Sequence, residues 1–200
     1  MNAVLYIHGK GGNSEEAEHY KSLFKDCDVI GLDYKGNTPW NVKIEIEEAF
    51  LLLNKKYDHI IIIANSIGAY YALNSHVEAD HAYFISPIVD MEAMINSMMK
   101  WANVTEELLR KEKVIHTDFG EDLSWEYLTY VRNHPIHWSI PTDILYGERD
   151  QLISKETLKK FTKDHMATLT IMKEGEHWFH TQEQMAYLDE WILKCTNKRI

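Results

Sequence analysis

Six short apolar segments alternate along this chain with longer segments of helical character. The strand candidates are residues 4–7, 29–33, 60–64, 81–85, 143–146 and 167–172. The helix candidates are residues 15–24, 41–56, 67–76, 154–163 and 181–194. Strands that alternate with helices of this length form βαβ units, because a parallel partner strand is reached only through a crossover connection. The pattern therefore predicts an α/β fold with a mostly parallel six-stranded sheet and helices on both faces.

Length, charge and cysteine content limit the classes of protein that fit this sequence. A chain of 200 residues with 45% hydrophobic content can bury a substantial core, so we expect a single domain over residues 1–200. The formal net charge of -10 argues against a nucleic acid or an anionic membrane as the main partner. Cys27 and Cys195 lie far apart without metal-ligand spacing, so we expect no disulfide framework and no metal site. No signal-peptide pattern or long apolar run is present, and we expect a cytoplasmic protein that does not contact a membrane.

The segment 87–141 interrupts the alternation and contains no strong strand candidate. Its three short helix candidates are residues 91–102, 105–113 and 124–134, and it carries Trp101, Trp125 and Trp138. Because insertions of this length in compact domains are usually functional, we predict a helical lid insertion over a small-molecule pocket. The alternative is an ordinary crossover helix with extra helices at the edge of the sheet.

A serine directly follows the most hydrophobic strand candidate. Residues 60–63 are four isoleucines, typical of a central strand that is buried on both faces. Ser66 lies between this strand and the helix candidate 67–76, where a sharp turn requires small residues two positions before and after the serine. Ala64 and Gly68 are small. The pattern indicates a nucleophilic serine, and the alternative is a serine that caps the helix.

An acid and a histidine follow two later strand candidates. In an α/β sheet the site forms at the carboxyl ends of the strands, and Asp150 and His177 each lie just after a strand. A serine hydroxyl becomes a good nucleophile when a histidine takes its proton and an acid orients that histidine. Asp90 is an alternative acid that could instead cap a helix, and His180 is an alternative base.

Four motifs in these strand-end contexts resemble the α/β-hydrolase superfamily over nearly the whole chain. They are YIHGKGG, IANSIGAY, YGERDQLI and GEHWFH, in the chain order of serine, acid and histidine that this superfamily shows. The resemblance implies a small serine hydrolase of the esterase type that lacks the first two strands of the fold and needs no cofactor. It also implies an oxyanion hole formed by the backbone N–H groups of Lys10 and Ile67. Ala64 departs from the superfamily pattern, which has glycine at this position.

The expected reaction is hydrolysis of a small carboxylic ester or thioester by Ser66, His177 and Asp150. The aromatic side chains expected to line the substrate pocket are Trp40, Trp101, Trp125 and Trp138. The charge of Lys10 offers an additional specificity, because at the pocket mouth it would favour anionic substrates. The oligomeric state is not encoded in these motifs.

Two other functions fit parts of the sequence. One is a non-hydrolytic protein with the same fold, namely a binding protein, a lyase or a perhydrolase. The other is nucleotide binding, since Gly9, Gly11 and Ser14 form an imperfect glycine-rich pattern after a strand and Asp33 follows at a distance suited to a ribose contact.

Overall fold

The computed structural model of the protein describes residues 1–197. Its main sheet contains six parallel strands: β1 (Asn2–Ile7), β2 (Cys27–Gly31), β3 (His59–Asn65), β4 (His81–Ile85), β7 (Thr142–Gly147) and β8 (Ala167–Met172). Their spatial order across the sheet is β2-β1-β3-β4-β7-β8. The predicted α/β class and six-stranded sheet are confirmed.

Helices cover both faces of this sheet. They are a 3₁₀ helix (Ser14–Ser22), α1 (Pro39–Leu53), α2 (Ile67–Asn74), α6 (Lys155–Asp164) and α7 (Gln182–Asn197). Because strand side chains alternate between faces, Tyr6 and Ile63 share one core cluster with Tyr20 of the 3₁₀ helix and Trp191 of α7. The helices α1 and α2 pack together, with α2 also packing on β1 and β3. No helix within residues 1–197 is long and apolar enough to cross a membrane.

The described chain divides into two compact units. The first contains Met1–Val89 and the residues from Trp138 onward, and the second is Asp90–His137. The second unit contains the predicted helices, as α3 (Met91–Trp101), α4 (Glu106–Glu112) and α5 (Trp125–Asn133). Within it, Arg132 forms ion pairs with Glu92 and Glu106, both at 2.7 Å. The predicted insertion 87–141 contains this unit, and its role as a lid stays a prediction.

The second unit also contains two short strands, which corrects the expectation that this segment has no strand. These are β5 (Val114–His116) and β6 (Asp122–Ser124), which pair antiparallel. Each has three residues, too few to show the alternating pattern by which a strand is recognised. Gly120, with a φ of 82°, lies in the turn that joins them.

A buried pair of a histidine and a carboxylate joins strands at the amino ends of β4, β7 and β8. His81 Nε2 lies 3.1 Å from Asp143 Oδ2, and the side chains are only 3% and 12% exposed. Thr168 donates a hydrogen bond of 2.5 Å to the other oxygen of Asp143. Removing one partner of a buried pair leaves an uncompensated polar group, which is strongly destabilising. The pair lies at the edge of the sheet away from the strand ends that carry the predicted site.

We predict that Asp143→Ala lowers the free energy of unfolding by about 3 kcal/mol, because it removes the buried carboxylate that contacts both His81 and the Thr168 hydroxyl. Asp33→Ala is the control, since Asp33 and Lys35 form an ion pair on the surface, where such pairs contribute little. Urea denaturation of both variants measures the difference. Equal losses in the two variants would contradict a stabilising role for the buried pair.

Candidate active site

Ser66 is held in a strained backbone conformation between β3 and α2. Its φ of 49° and ψ of -116° are rare for a residue with a side chain. Two hydrogen bonds from the segment that ends β4 maintain this geometry: Ser66 N–H donates to Ile85 O, and Ile88 N–H donates to Ser66 O, each at 3.0 Å. Ser66 occupies the N-cap position of α2, but its side chain makes no capping hydrogen bond. The hydroxyl is therefore directed to another partner.

The turn at Ser66 depends on a close approach between α2 and the end of β1. A Cβ atom added to Gly68 would lie 2.5 Å from His8 O and 2.6 Å from Ile7 O, far inside contact distance. Glycine is thus required two residues after the serine. Ala64, two residues before it, is fully buried and pairs in register with Ile7 and Phe84, so alanine fits in the position where the superfamily pattern has glycine.

Ser66, His177 and Asp150 lie together as a hydrogen-bonded chain. Ser66 Oγ is 2.9 Å from His177 Nε2, and His177 Nδ1 is 2.6 Å from Asp150 Oδ2. The Asp150 side chain is completely buried, whereas the His177 side chain is 21% exposed. This arrangement gives the imidazole one nitrogen that faces a carboxylate and one that faces a hydroxyl. It is the geometry that serine activation by a histidine requires.

The loops that carry the acid and the histidine are joined at backbone level. A Cβ atom added to Gly147 would lie 2.3 Å from Glu176 O, and Arg149 N–H donates to Gly175 O at 2.8 Å. The second oxygen of Asp150 accepts hydrogen bonds from the N–H groups of Leu152 and Ile153. Asp150 therefore cannot rotate away from His177 without losing these bonds.

The loop after β1 is also well fixed. The His8 ring stacks on Tyr34 with centroids 4.1 Å apart, and the Tyr34 hydroxyl donates to His8 O. Gly12 N–H donates to Gly9 O at 3.2 Å, and Gly11 has a φ of 74°, as the third residue of a type II turn requires. Lys10 is the second residue of this turn. Its N–H and that of Ile67, which opens α2, remain the predicted oxyanion donors.

Comparison with known proteins identifies the fold. No protein-family model and no curated protein matches the sequence. Among solved structures, alpha/beta hydrolase domain-containing protein 10 from mouse aligns with a TM-score of 0.76 at 13% identity, covering 99% of this chain and 90% of that one. This chain has the α/β-hydrolase fold. Est1E from Butyrivibrio proteoclasticus with bound ferulic acid aligns at 0.73 and 15% identity, with coverage of 99% and 89%. A hyperthermophilic esterase from the archaeon Pyrobaculum calidifontis aligns at 0.67 and 16% identity, with coverage of 98% and 77%.

A cavity of about 860 Å³ opens beside Ser66 in this α/β-hydrolase fold. Ser66, His177 and Lys10 line it, and its volume is in the usual range for small-molecule sites. The predicted walls Trp40 and Trp138 are not among the described residues that line this cavity. Trp101 and Trp125 belong to the second unit, and their part in a pocket stays a prediction.

Trp138 has a structural position instead. Its ring packs on Phe84 with centroids 5.6 Å apart, and its indole N–H donates to Thr142 Oγ1 at 2.8 Å. The side chain is 7% exposed. It anchors the start of β7 rather than the wall of the cavity beside Ser66.

The alternative site residues have other partners. Asp90 accepts a hydrogen bond from Ala93 N–H and caps α3, which is the structural role that the sequence also allowed. His180 Nδ1 lies 2.7 Å from Trp178 O, and its ring stacks on Trp178. Asp33 forms its ion pair with Lys35 on the surface. Within residues 1–197, no group of three or more His, Cys, Asp and Glu side chains is arranged to hold a metal ion.

A polar cluster in the cavity wall belongs to none of the sequence motifs. Tyr6 Oη donates to Glu16 Oε2 at 2.5 Å and accepts from Asn65 Nδ2 at 2.7 Å. Burial raises the pKa of the Tyr6 phenol, with further contributions from Tyr20 and Glu16. Period-two alternation places Tyr6 and Ile63 on one face, but nothing in the sequence indicates that Glu16 reaches them.

We predict that Gly68→Ala lowers the free energy of unfolding by about 2 kcal/mol, because the added methyl group overlaps two carbonyl oxygens and α2 must move. Gly9→Ala is the matched control, since its added Cβ would lie 3.4 Å from Asn65 O and Ser66 Cβ, an ordinary contact. Urea denaturation compares the two variants. A Gly68→Ala variant as stable as Gly9→Ala would contradict the close approach.

We also predict that Tyr6 makes the protein lose stability at alkaline pH. Its pKa is raised in the folded state, so above the unfolded value of about 10 the unfolded chain releases a proton that the folded chain keeps. The free energy of unfolding then falls by about 1.4 kcal/mol per pH unit for this residue. In Tyr6→Phe this contribution should disappear from the slope measured by urea denaturation between about pH 10 and about pH 11. An unchanged slope would contradict the raised pKa.

Proposed function

We propose that the protein is a serine hydrolase that cleaves a small carboxylic ester or thioester through an acyl-enzyme on Ser66. The observation that carries the proposal is the chain from Ser66 Oγ to His177 Nε2 at 2.9 Å and from His177 Nδ1 to Asp150 Oδ2 at 2.6 Å. Its placement at a strained strand-to-helix turn beside a cavity adds support, because this turn presents the hydroxyl to a bound substrate.

In the first half of the reaction, Ser66 Oγ attacks the acyl carbonyl carbon while His177 Nε2 takes the hydroxyl proton. Asp150 accepts the Nδ1–H hydrogen bond, so the neutral imidazole keeps Nε2 free of a proton and the imidazolium that forms is stabilised. The negative charge that develops on the carbonyl oxygen is to be met by the N–H groups of Lys10 and Ile67. His177 then gives its proton to the departing alcohol or thiol.

In the second half, water attacks the acyl-enzyme. His177 takes a proton from the water molecule, the bond between the acyl carbon and Ser66 Oγ breaks, and the proton passes to Ser66. The products are a carboxylic acid and the free enzyme. These steps balance with water as the only co-reactant.

The surroundings of Ser66 support a small organic substrate. Apolar side chains contribute to the cavity wall, including Ile85, Phe179, Met185 and Leu188, and most small-molecule sites are largely apolar with a few polar groups. One structural neighbour is an esterase from Pyrobaculum calidifontis, and another was solved with ferulic acid bound. An ester or thioester of modest size fits both the cavity and the proposed chemistry.

We predict that a fluorophosphonate probe labels the wild-type protein and that Ser66→Ala abolishes the labelling. Hydrolysis of short-chain 4-nitrophenyl esters should fall by a factor of about 10⁴ or more in the same variant, because no other group takes over nucleophilic attack. Ser139→Ala is the control, since Ser139 is an exposed serine outside the cavity, and it should match wild type in both assays.

Labelling that persists in Ser66→Ala would contradict the proposal. Labelling of Ser66 without turnover of any ester or thioester would contradict hydrolysis and favour the non-hydrolytic alternatives of a binding protein, a lyase or a perhydrolase. Both measurements need the folded protein, which far-ultraviolet circular dichroism of each variant verifies.

We further predict that Asp150→Asn lowers kcat by a factor of about 10⁴, because an amide at this position can no longer hold the imidazole with its proton on Nδ1. Asp150 also accepts the N–H groups of Leu152 and Ile153 through its other oxygen, and asparagine can keep those bonds. The loop should therefore remain folded while the rate falls. A kcat within tenfold of wild type would contradict this role for Asp150.

A further inference from the structure

One part of the cavity wall beside Ser66 combines a single carboxylate with several aromatic rings. The carboxylate is Glu16, in the first turn of the 3₁₀ helix. The rings are Tyr6, Tyr20, Trp178 and Phe179, all of which line the same cavity. The proposed chemistry uses none of these side chains, so they are available for another role in the cavity, such as substrate binding.

Glu16 is held in place by the polar cluster at the end of β1. Its Oε2 atom accepts the Tyr6 hydroxyl at 2.5 Å, and Tyr6 in turn accepts Asn65 Nδ2. Tyr6 is 1% exposed, so the anchor is buried even though Glu16 itself is exposed. Within residues 1–197, Tyr6 is the one hydrogen-bond partner of the Glu16 carboxylate, and this leaves Oε1 available to accept a donor.

The loop after β1 leaves space for this carboxylate. A Cβ atom added to Gly12 would lie 2.7 Å from Glu16 Oε1 and 3.0 Å from Oε2. Glu16 therefore leans across the glycine-rich loop that also carries Lys10. A residue larger than glycine at position 12 would displace the carboxylate from the cavity wall.

The negative charge of Glu16 affects the pKa values of three tyrosine side chains. It contributes to the raised pKa of Tyr6, Tyr20 and Tyr34, although burial is the larger cause for each of them. Phenols are neutral at physiological pH, and the raised pKa values keep these three neutral into the alkaline range. The carboxylate thus faces neutral aromatic groups in its immediate surroundings.

Other charged or titratable groups also line the cavity: Lys10, His19, His177 and His180. His19 Nε2 lies 2.6 Å from Asp189 Oδ1, and His177 is part of the proposed catalytic chain. Lys10 carries the charge opposite to that of Glu16. Its side chain is exposed on the strand-end loop. A lysine ammonium group recognises an anion with less geometric specificity than a planar guanidinium group.

The aromatic rings complement a cation. Tyr6 and Tyr20 are buried behind the carboxylate, with ring centroids 5.2 Å apart. Trp178, which stacks on His180, is 72% exposed and is the ring open to a ligand. The faces of tyrosine and tryptophan rings attract ammonium groups, most strongly when water is partly excluded. An anchored carboxylate and an exposed tryptophan in one cavity can bind a protonated amine through charge and ring contacts together.

We propose that Glu16 is a specificity-determining residue that binds a protonated amine group of the substrate. This inference rests on the proposed function, because it names the substrate class of the Ser66 site. The preferred esters or thioesters therefore carry an ammonium group, and matched anionic compounds are disfavoured.

The test is isothermal titration calorimetry with benzylamine, benzyl alcohol and benzoate, which share one ring and differ in charge. Wild type should bind benzylamine at least about tenfold more tightly than benzyl alcohol, as expected for one charge-assisted hydrogen bond. Glu16→Gln should remove this preference. Glu15→Gln is the matched control, since Glu15 is the exposed neighbouring carboxylate outside the cavity, and it should keep the preference.

Equal binding of the amine and the alcohol by wild type, or a preference that survives in Glu16→Gln, would overturn the inference. Tighter binding of benzoate would do the same and would assign specificity to Lys10. Because binding does not require nucleophilic attack, these outcomes are distinct from failure of the proposed function, which Ser66→Ala reveals through persistent labelling or hydrolysis.

Discussion

The strained conformation of Ser66 is the constraint on which the rest of the site depends. A residue with a side chain does not keep a φ of 49° with a ψ of -116° unless its surroundings enforce it. Here the segment that ends β4 supplies hydrogen bonds on both sides of the serine, and Gly68 lets α2 pack directly on the backbone at the end of β1. These contacts of the parallel sheet offset the free-energy cost of the strained backbone at Ser66. As a result, the hydroxyl projects from the end of a buried strand toward His177.

The same sheet edge brings together residues that are far apart in the chain. Asp150 and His177 follow β7 and β8, and the contact of Gly147 with Glu176 joins their loops. Parallel neighbouring strands place their carboxyl ends side by side, so the residues that follow these strands lie together at the carboxyl edge of the sheet. This explains why Ser66, Asp150 and His177 could be predicted from the sequence to lie together. The glycine at 147 and the turn at Gly11 are the local features that make the backbones fit.

Other features could not be predicted, for physical reasons. The strands β5 and β6 are too short for a periodic pattern. Trp138 was expected in a pocket wall, but a tryptophan beside a strand can equally bury its ring against the core and satisfy its indole N–H locally, as Trp138 does with Phe84 and Thr142. Glu16 was missed because a charged residue on a surface helix has the same sequence signature whether it faces solvent or reaches over a loop. Its proposed role depends on Gly12 and on the hydroxyl of Tyr6, and these contacts exist only in the folded chain.

The central claim is that Ser66 becomes covalently acylated during turnover. Its most direct test is mass spectrometry of protein mixed with a short-chain 4-nitrophenyl ester and quenched in acid within the first turnovers, followed by peptide mapping. We predict an added mass equal to the acyl group on the peptide that contains Ser66, and its absence in Ser66→Ala. An acyl group found on a different residue, or turnover of the ester without any acylated peptide in the quenched samples, would contradict the account.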